Sequence, residues 1–215
     1  MKHCLFLTMT VALAGVMTSP ALAEKKSAKP EKGFVALFDG SSTGHWMNSK
    51  NGQFPAKGWS IEDRCLKCAP KGGGGDIITR DTYEQFDFRF EWKVAKGSNS
   101  GVKYFIIRER GSLGHEYQVI DDAGYPDGGR HSTASFYDVL APSKDKPIKP
   151  AGEFNSSRIL VKGQTVKHFL NGKQVLSYDL GSAELKAAVA RSKFKKLEVF
   201  GVRLPGHILL QDHGG

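Results

Sequence analysis

The sequence predicts an all-β protein with the architecture of a β-sandwich, and three observations support this. Apolar and polar residues alternate along several segments, most clearly at 86–94, as in strands with one buried face. Turn-forming residues separate these segments, and Asn171-Gly172 is a strong hairpin signal. Only the segment near 183–192 has the composition of a helix. Many short strands separated by turns are typical of sandwiches and barrels.

The first 23 residues are predicted to be a signal peptide. Lys2 precedes an apolar stretch at residues 5–16, and Ala21-Leu22-Ala23 supplies the small residues that a signal peptidase recognises. The stretch is shorter than the roughly 20 apolar residues that span a bilayer, so an uncleaved anchor is the less favoured alternative. We expect a periplasmic, secreted or cell-surface protein that does not insert into the membrane once the signal is removed.

The mature chain is predicted to be one domain behind a short leader. Residues 24–32 are rich in Lys, Ala, Ser and Pro, which is typical of a flexible segment, and residues 33–215 suffice for one sheet domain. Removing residues 1–23 takes away Lys2 and no acid, so 30 of the 31 basic residues face 22 acidic ones and the net charge becomes +8. These charges are scattered, so we expect a solvated basic surface and no nucleic-acid partner.

The individual elements follow from the alternation of the sequence. Asn171-Gly172 is expected to join the last two strands, and Ser182 is a plausible N-cap for one helix at 183–192. Extended segments are predicted at 59–68, 86–94, 101–107, 115–120, 134–140, 157–162, 165–170 and 173–178.

Cys65 and Cys68 are the only cysteines after the signal peptide. Export allows a disulfide, and Cys-x-x-Cys also occurs in redox and metal sites. Residues three apart in a flat strand point to opposite faces, so pairing these two requires a bend or bulge. One such pair is a weak zinc signal, and we expect two small strand residues without a shared function.

A series of short motifs runs in order through the mature chain. Single motifs are weak, but the ordered set is specific, and it resembles the 3-keto-disaccharide hydrolase domain family over residues 33–214. The motifs are Gly33-Phe34-Val35-Ala36-Leu37-Phe38-Asp39-Gly40 with Trp46, Trp59 with Glu62-Asp63, Asn99-Ser100-Gly101-Val102-Lys103-Tyr104, Glu116-Tyr117-Gln118, Glu153-Phe154-Asn155, His168-Phe169-Leu170-Asn171-Gly172 and Gly206-His207-Ile208-Leu209-Leu210-Gln211-Asp212-His213-Gly214.

The resemblance implies a concanavalin- or laminin-G-like jelly roll that cleaves 3-keto-glycosides, by hydrolysis or by lyase and hydratase steps. A carbonyl at sugar carbon 3 acidifies the proton on carbon 2, so a base can remove that proton and expel the group on carbon 1. Such a reaction needs a base, a cation or donors for the enolate, and an acid for the leaving oxygen. It implies a small oxidised sugar as substrate and an upstream sugar 3-dehydrogenase as supplier.

The family pattern also continues after the Gln-Asp-His-Gly motif into a closing strand, whereas this sequence stops at Gly215. We therefore expect either a truncation or a sheet edge left open, and an open edge favours association with other strands.

The candidate site consists of polar residues in strand-like runs within or beside these motifs. We predict Glu116 or His168 as the base and Lys103 or Arg158 as the group that stabilises the enolate. On the strand at 115–121, Gln118 shares a face with Glu116, which disfavours the paired carboxylates of ordinary glycosidases. Sugar binding is assigned to Gln118, Arg158, Glu91, Gln211, His213 and, by ring stacking, Trp46. Gln211 and His213 would orient sugar hydroxyls or assist as the acid.

Two alternatives to these assignments stay open. The polar face of an antiparallel sheet is often simply solvated, most plainly so for Glu91 and Arg158. The sequence identifies no cofactor and leaves a divalent metal open, because oxygen ligands from Asp121, Asp122 and Asp127 would suit calcium. Their spacing is not that of an EF-hand, so a solvated turn is the default interpretation.

Other functional classes are compatible with the same fold. The main alternative is a non-catalytic carbohydrate-binding module, which would keep the aromatic residues and need no base; a structural or adhesive surface domain is another. A serine or cysteine hydrolase is disfavoured because the sequence has no Gly-x-Ser-x-Gly elbow.

Overall fold

The structure is a computed structural model that describes residues 31–125, 128–197 and 200–213. The predicted signal peptide at 1–23 and leader residues 24–30 lie outside these residues. The chain divides into two compact units, Met1–Phe34 and Val35–Gly215. Of the first unit, residues 31–34 are described, and there the Phe34 N–H donates to the Glu31 carbonyl at 2.9 Å.

The second unit is built almost entirely of strands. Its described part has one α-helix, α1 at Ala183–Ala190, and three 3-10 turns at Arg108–Arg110, Asp122–Gly124 and Gly129–His131. None of the described helices is long and apolar enough to cross a membrane. The strands are β1 Trp46–Asn48, β2 Trp59–Glu62, β3 Cys65–Cys68, β4 Ile77–Thr79, β5 Phe86–Trp92, β6 Asn99–Ile106, β7 His115–Ile120, β8 Asn155–Lys162, β9 Thr165–Leu170, β10 Lys173–Asp179 and β11 His207–Leu210.

Two antiparallel sheets form the predicted β-sandwich. The five-stranded sheet has the order β1-β4-β11-β6-β7, and the four-stranded sheet has the order β10-β9-β8-β5. The main core lies between them and includes Tyr104 and Tyr117 from the first sheet and Ile159 and Leu170 from the second. A smaller apolar cluster of Met47, Ile78, Ile106 and Leu209 lies apart from this core. The all-β fold class predicted from the alternation is confirmed.

Most predicted strands are present with shifted ends, and β7 and β9 have the predicted bounds. The Asn171-Gly172 hairpin is confirmed, with both residues at positive φ (46° and 83°), as a type I′ turn requires. The strand predicted at 134–140 is wrong: this segment makes only isolated bridges from Phe136 to Tyr117 and Leu140. Ala134 and Asp138 have φ of 68° and 61°, which interrupts an extended chain.

The helix is confirmed at Ala183–Ala190, two residues shorter than predicted. The Ser182 side chain accepts a hydrogen bond from the Leu185 N–H at 3.1 Å, so it is the N-cap that the sequence indicates.

Cys65 and Cys68 lie at the two ends of β3 and are free thiols. Strand β3 pairs with β2 in a separate hairpin, and the turn residues Asp63 and Arg64 have positive φ. Residues three apart in such a strand point to opposite faces, so a bond between these two thiols would need a change of the backbone.

A hydrogen-bonded chain of buried side chains joins the two sheets. Tyr104 of β6 lies between His168 of β9 and Tyr178 of β10, with its hydroxyl 2.9 Å from His168 Nε2 and 2.5 Å from the Tyr178 hydroxyl. His115 of β7 continues the chain, with Nδ1 3.3 Å from the Tyr178 hydroxyl. Each of the four side chains is at most 8% exposed.

The partners at the two ends of this hydrogen-bonded series determine which group donates in each of its hydrogen bonds. His168 Nδ1 faces the Ala134 carbonyl at 2.9 Å, and a carbonyl can only accept, so Nδ1 carries the proton and Nε2 accepts from Tyr104. His115 Nε2 accepts from the Gly201 N–H at 3.1 Å, so its Nδ1 donates to Tyr178. Both histidines are therefore neutral. A second proton would bind Nε2 of either ring, where it would face the Tyr104 hydroxyl or the Gly201 N–H, and each of these groups is already a donor.

The buried histidines predict a loss of stability in acid. Burial is the main cause that lowers the pKa of His115 to about 3 and that of His168 to about 4, from 6.5. Between pH 6.5 and about 4 the unfolded chain binds protons that the folded protein cannot, so the free energy of unfolding falls as the pH falls. We expect about 1.4 kcal/mol per pH unit for each histidine, measured by urea unfolding.

Two variants check the origin of this slope. His168→Gln removes one of the two histidines that bind a proton only in the unfolded chain, so the free energy of unfolding falls less steeply between pH 6.5 and 4.5. His45→Gln, at an exposed position, leaves this pH dependence unchanged. An unchanged slope in His168→Gln would contradict the account.

Candidate active site

The candidate site lies on the outer face of the five-stranded sheet, where β6 and β7 pair. All six residues of β7 are buried, so this strand is covered on both faces. Tyr117 and Val119 belong to the core between the sheets. Glu116 and Gln118, which alternate with them, therefore face outward, as the sequence predicts.

Strand β6 places Lys103 directly opposite Glu116. Lys103 pairs with Glu116 and Gly101 pairs with Gln118 in the antiparallel register. Lys103 Nζ lies 3.6 Å from Glu116 Oε2, and the two side chains are only 13% and 9% exposed. The Lys103 ammonium also donates to the Ser112 carbonyl at 3.4 Å. The predicted pair of an acid–base group and a cation is thus assembled on this face.

The Glu116 carboxyl is subject to two opposing effects. Burial raises its pKa above 4.5, and this is the largest effect; Lys103, followed by Lys193 and His213, acts in the opposite direction. The Gln118 amide nitrogen, in the orientation that satisfies the surrounding acceptors, donates to Glu116 Oε1 at 3.0 Å and to the Ser100 carbonyl at 3.1 Å. A carboxylate with a raised pKa is better suited to accept a proton near neutral pH than an exposed one.

Gly101 provides the space that the Glu116 side chain occupies. A Cβ atom at this position would lie 2.5 Å from Glu116 Oε1, closer than any van der Waals contact allows. Any side chain at position 101 therefore displaces the Glu116 carboxyl.

Strand β11 leads directly into the motif Gln211-Asp212-His213 and brings it to the same face. The Gln211 N–H donates to the Gly101 carbonyl at 3.0 Å, and Leu209 pairs with Lys103. Within the described residues, Gln211 Oε1 is buried and has no hydrogen-bond partner. His213 is exposed and follows Gln211 by two residues, and it is among the groups that act to lower the Glu116 pKa. The structure thus brings Lys103, Glu116, Gln118, Gln211 and His213 together.

The segment after the 3-10 turn at Gly129–His131 closes the other side of the site. The Tyr137 N–H donates to the Glu116 carbonyl at 3.0 Å, which sets Tyr137 beside Glu116 as in a neighbouring strand. Lys193 Nζ lies 4.2 Å from the centre of the Tyr137 ring. Neither Tyr137 nor Lys193 was predicted as a site residue. The alternation of apolar Phe136 with Tyr137 would have indicated an outward side chain, but no sequence signal marks Lys193.

The structure does not bring His168 to this face. His168 is fully buried between the sheets and bonded to Tyr104, so it cannot reach a ligand on the outer face, and its prediction as the base is wrong. Trp46 is 2% exposed, and its indole N–H donates to the Leu37 carbonyl at 2.8 Å. It is a core residue and not a stacking platform.

Arg158 and Glu91 belong to the other sheet. The Arg158 guanidinium donates two hydrogen bonds to Asp87, at 2.7 and 2.8 Å, and lies 5.0 Å from the centre of the Phe169 ring. Glu91 is an exposed residue of β5. Both lie on the outer face of the four-stranded sheet, so the single polar face predicted for all these residues is corrected to two separate faces.

The carboxylates proposed for calcium have other partners. Asp121 accepts hydrogen bonds from the Gly97 and Ala123 N–H groups, and Asp122 pairs with Lys146 at 2.7 Å and accepts from the Thr133 N–H. Asp127 lies outside the described residues. The parts of the chain that the structure describes hold no group of three or more His, Cys, Asp or Glu side chains placed to bind a metal ion.

Comparisons with known proteins agree with the fold. The family model of the 3-keto-α-glucoside-1,2-lyase-like domain matches residues 33–215. The chain belongs to this family. The 3-keto-disaccharide hydrolase family indicated by the sequence motifs is thereby confirmed.

Individual relatives cover most of the chain. A protein of Bacteroides thetaiotaomicron named 3-keto-disaccharide hydrolase is 32% identical over 217 residues, which are 85% of this chain and 74% of that protein. A crystal structure from Parabacteroides distasonis, described as a proposed glycosyl hydrolase, has a TM-score of 0.74 at 30% identity, covering 84% of this chain and 88% of that one. A second structure from the same organism, described in the same way, has a TM-score of 0.59 at 26% identity, covering 79% and 92%.

The pairing of Glu116 with Lys103 makes a prediction about the carboxyl. Replacing Lys103 with Met removes the strongest group that lowers the Glu116 pKa, so the pKa should rise further above its ordinary value. The measurement is an NMR titration of the glutamate side-chain carbons. Lys162→Met, at an exposed position of the other sheet, is the control and leaves the titration unchanged. An equal response to both variants would show that Lys103 does not act on Glu116 in solution.

Proposed function

We propose that this protein cleaves 3-keto-glycosides, with Glu116 as the base that removes the proton from sugar carbon 2. The observation that carries the proposal is the buried Glu116 carboxyl on the outer face, 3.6 Å from the Lys103 ammonium. Membership of the family, and the name of the B. thetaiotaomicron relative, support the choice of substrate class.

The charge balance of the pair suits this reaction. In the resting site the Glu116 carboxylate and the Lys103 ammonium compensate each other. When Glu116 takes the proton from carbon 2 it becomes neutral, and the negative charge moves to the enolate oxygen on carbon 3. The Lys103 charge, no longer compensated, then stabilises that oxygen in a poorly solvated site, where such an interaction is strongest.

The remaining steps complete a net hydrolysis. The enolate expels the group on carbon 1, which leaves with a proton, and a double bond forms between carbons 1 and 2. Water then adds to carbon 1, and the proton held by Glu116 returns to carbon 2. Elimination and hydration thus yield the free 3-keto-sugar and the free alcohol, and the outward position next to Glu116 on β7 is the amide Gln118 and not the second carboxylate of an ordinary glycosidase.

The substrate defines the reaction that precedes this one. A glycoside carries a hydroxyl on carbon 3, so a separate sugar 3-dehydrogenase has to supply the ketone. With the signal peptide predicted at 1–23, we propose that the cleavage takes place in the periplasm or outside the cell.

The proposal predicts selective cleavage of the oxidised sugar. Purified protein is incubated with methyl 3-keto-glucoside and with methyl glucoside, with and without added divalent cation, and the released sugar is measured. We expect turnover of the keto form only, and a loss of about 10²–10⁴-fold in Glu116→Gln, as is usual when a general base is removed.

Glu91→Gln is the matched control, because Glu91 is exposed on the other sheet, and it keeps wild-type turnover. Binding of the sugar without turnover of either form would contradict the enzyme proposal and support a carbohydrate-binding module.

The space beside Gly101 gives a second test. Gly101→Ala places a methyl group against Glu116 Oε1 and moves the carboxyl, and a misplacement of about 1 Å can cost on the order of 10²-fold in rate. The measurement is kcat on the same keto substrate. Gly124→Ala, where a Cβ meets no atom closer than 3.4 Å, is the control. Wild-type kcat in Gly101→Ala would show that the position of Glu116 does not matter.

A further inference from the structure

Elimination from carbon 1 requires a proton for the leaving oxygen, and in the proposed steps Glu116 keeps the proton that it took until it returns that proton to carbon 2. A sugar or alkyl alkoxide is a poor leaving group, so a second proton donor is needed beside Glu116. The need for this donor rests on the proposed function, and the residues around Glu116 indicate which group it is.

Tyr137 is placed beside the base by the backbone. Its N–H donates to the Glu116 carbonyl at 3.0 Å, so the two residues are neighbours across two paired segments. Phe136 packs inward, stacked on Tyr178 at 5.0 Å, so Tyr137 faces outward with Glu116. Neighbouring side chains on one face of such a pair have Cβ atoms about 4.5–5.5 Å apart.

The electrostatics agree with a short distance between the phenol and the carboxyl. Burial, followed by the negative charges of Glu116 and Asp138, raises the pKa of Tyr137 above 10. The phenol is therefore protonated at neutral pH and can give a proton to an alkoxide as it forms.

Two contacts hold the Tyr137 ring in place. Lys193 Nζ lies 4.2 Å from the ring centre, and the His131 ring lies 5.2 Å from it. Asp138 anchors both neighbours: it pairs with His131 Nε2 at 2.9 Å and accepts from the Lys193 N–H at 2.7 Å. One carboxylate thus binds both the His131 ring and the backbone N–H of Lys193.

We propose that Tyr137 is the general acid that protonates the leaving-group oxygen. After Glu116 has removed the proton from carbon 2, the enolate expels the glycosidic oxygen: its bond to carbon 1 breaks, and the Tyr137 hydroxyl gives its proton to that oxygen. The Lys193 ammonium stabilises the phenolate that results. Water then adds its hydroxyl group to carbon 1 and gives its remaining proton to the phenolate, and Glu116 returns to carbon 2 the proton that it took.

The test is the dependence of rate on the leaving group. Tyr137→Phe and the wild type are compared on 3-keto-glucosides that carry nitrophenol or methanol as the leaving group. Nitrophenolate leaves without protonation, so Tyr137→Phe keeps nearly wild-type kcat on that substrate and loses about 10²–10⁴-fold on the methyl substrate. Tyr125→Phe, in an exposed turn, is the control and changes neither rate.

Each outcome decides the proposal. An equal loss on both substrates, or no loss on either, would overturn the role of Tyr137 while leaving the proposed function intact. Absence of wild-type activity on both keto substrates would instead refute the proposed function itself. Should Tyr137→Phe fail to fold, 3-fluorotyrosine at position 137 lowers the phenol pKa with little change of shape. It should then move the alkaline limb of the pH–rate profile for the methyl substrate to lower pH, and an unmoved limb would overturn the proposal.

Discussion

The chain of hydrogen bonds from His115 through Tyr178 and Tyr104 to His168 fixes how the two sheets face each other. It joins β6 and β7 of one sheet to β9 and β10 of the other, and each polar group has one donor and one acceptor to satisfy. A slip of β7 by one residue would turn Glu116 into the core between the sheets and move His115 to the outer face, because side chains alternate along a strand. The buried network thus selects the register that presents Glu116 and Lys103 on the outer face. Protonation of either of its histidines would disrupt the network.

The same strand explains the electrostatics of the site. Because β7 is buried on both faces, Glu116 loses most of its hydration, which raises its pKa, and nearby cations act in the opposite direction. Lys103 supplies positive charge from the neighbouring strand, and Lys193 and His213 add to it. The groups that hold the resting carboxylate are then in place to hold the negative charge of an enolate. When Glu116 takes the proton from carbon 2, the negative charge thus passes from its carboxylate to the enolate oxygen beside the same cations.

The alternation of apolar and polar residues predicted the fold and part of the site. What it could not predict has physical causes. It placed Glu116 and Gln118 outward correctly, but it cannot tell the outer faces of two sheets apart, so Arg158 and Glu91 were grouped with them. His168 was misassigned although Val166 and Leu170 share its face, a pattern that indicates the core. Phe105 faces inward beside Tyr104 because its φ of 60° accompanies a register shift against β11. The roles of Tyr137 and Lys193 depend on long-range packing, which short motifs do not encode.

The central claim is that Glu116 is a base aimed at sugar carbon 2, and hydrogen exchange tests it most directly. The ligand is 1,5-anhydroglucitol oxidised to the ketone at carbon 3, which has the acidic proton but no leaving group on carbon 1. In heavy water, the account predicts that the wild type exchanges the carbon 2 hydrogen selectively over the one on carbon 4, as followed by proton NMR, and that Glu116→Gln does not. Exchange at carbon 2 that is equally fast in Glu116→Gln, or no exchange in the wild type at a saturating ligand concentration, would contradict the account.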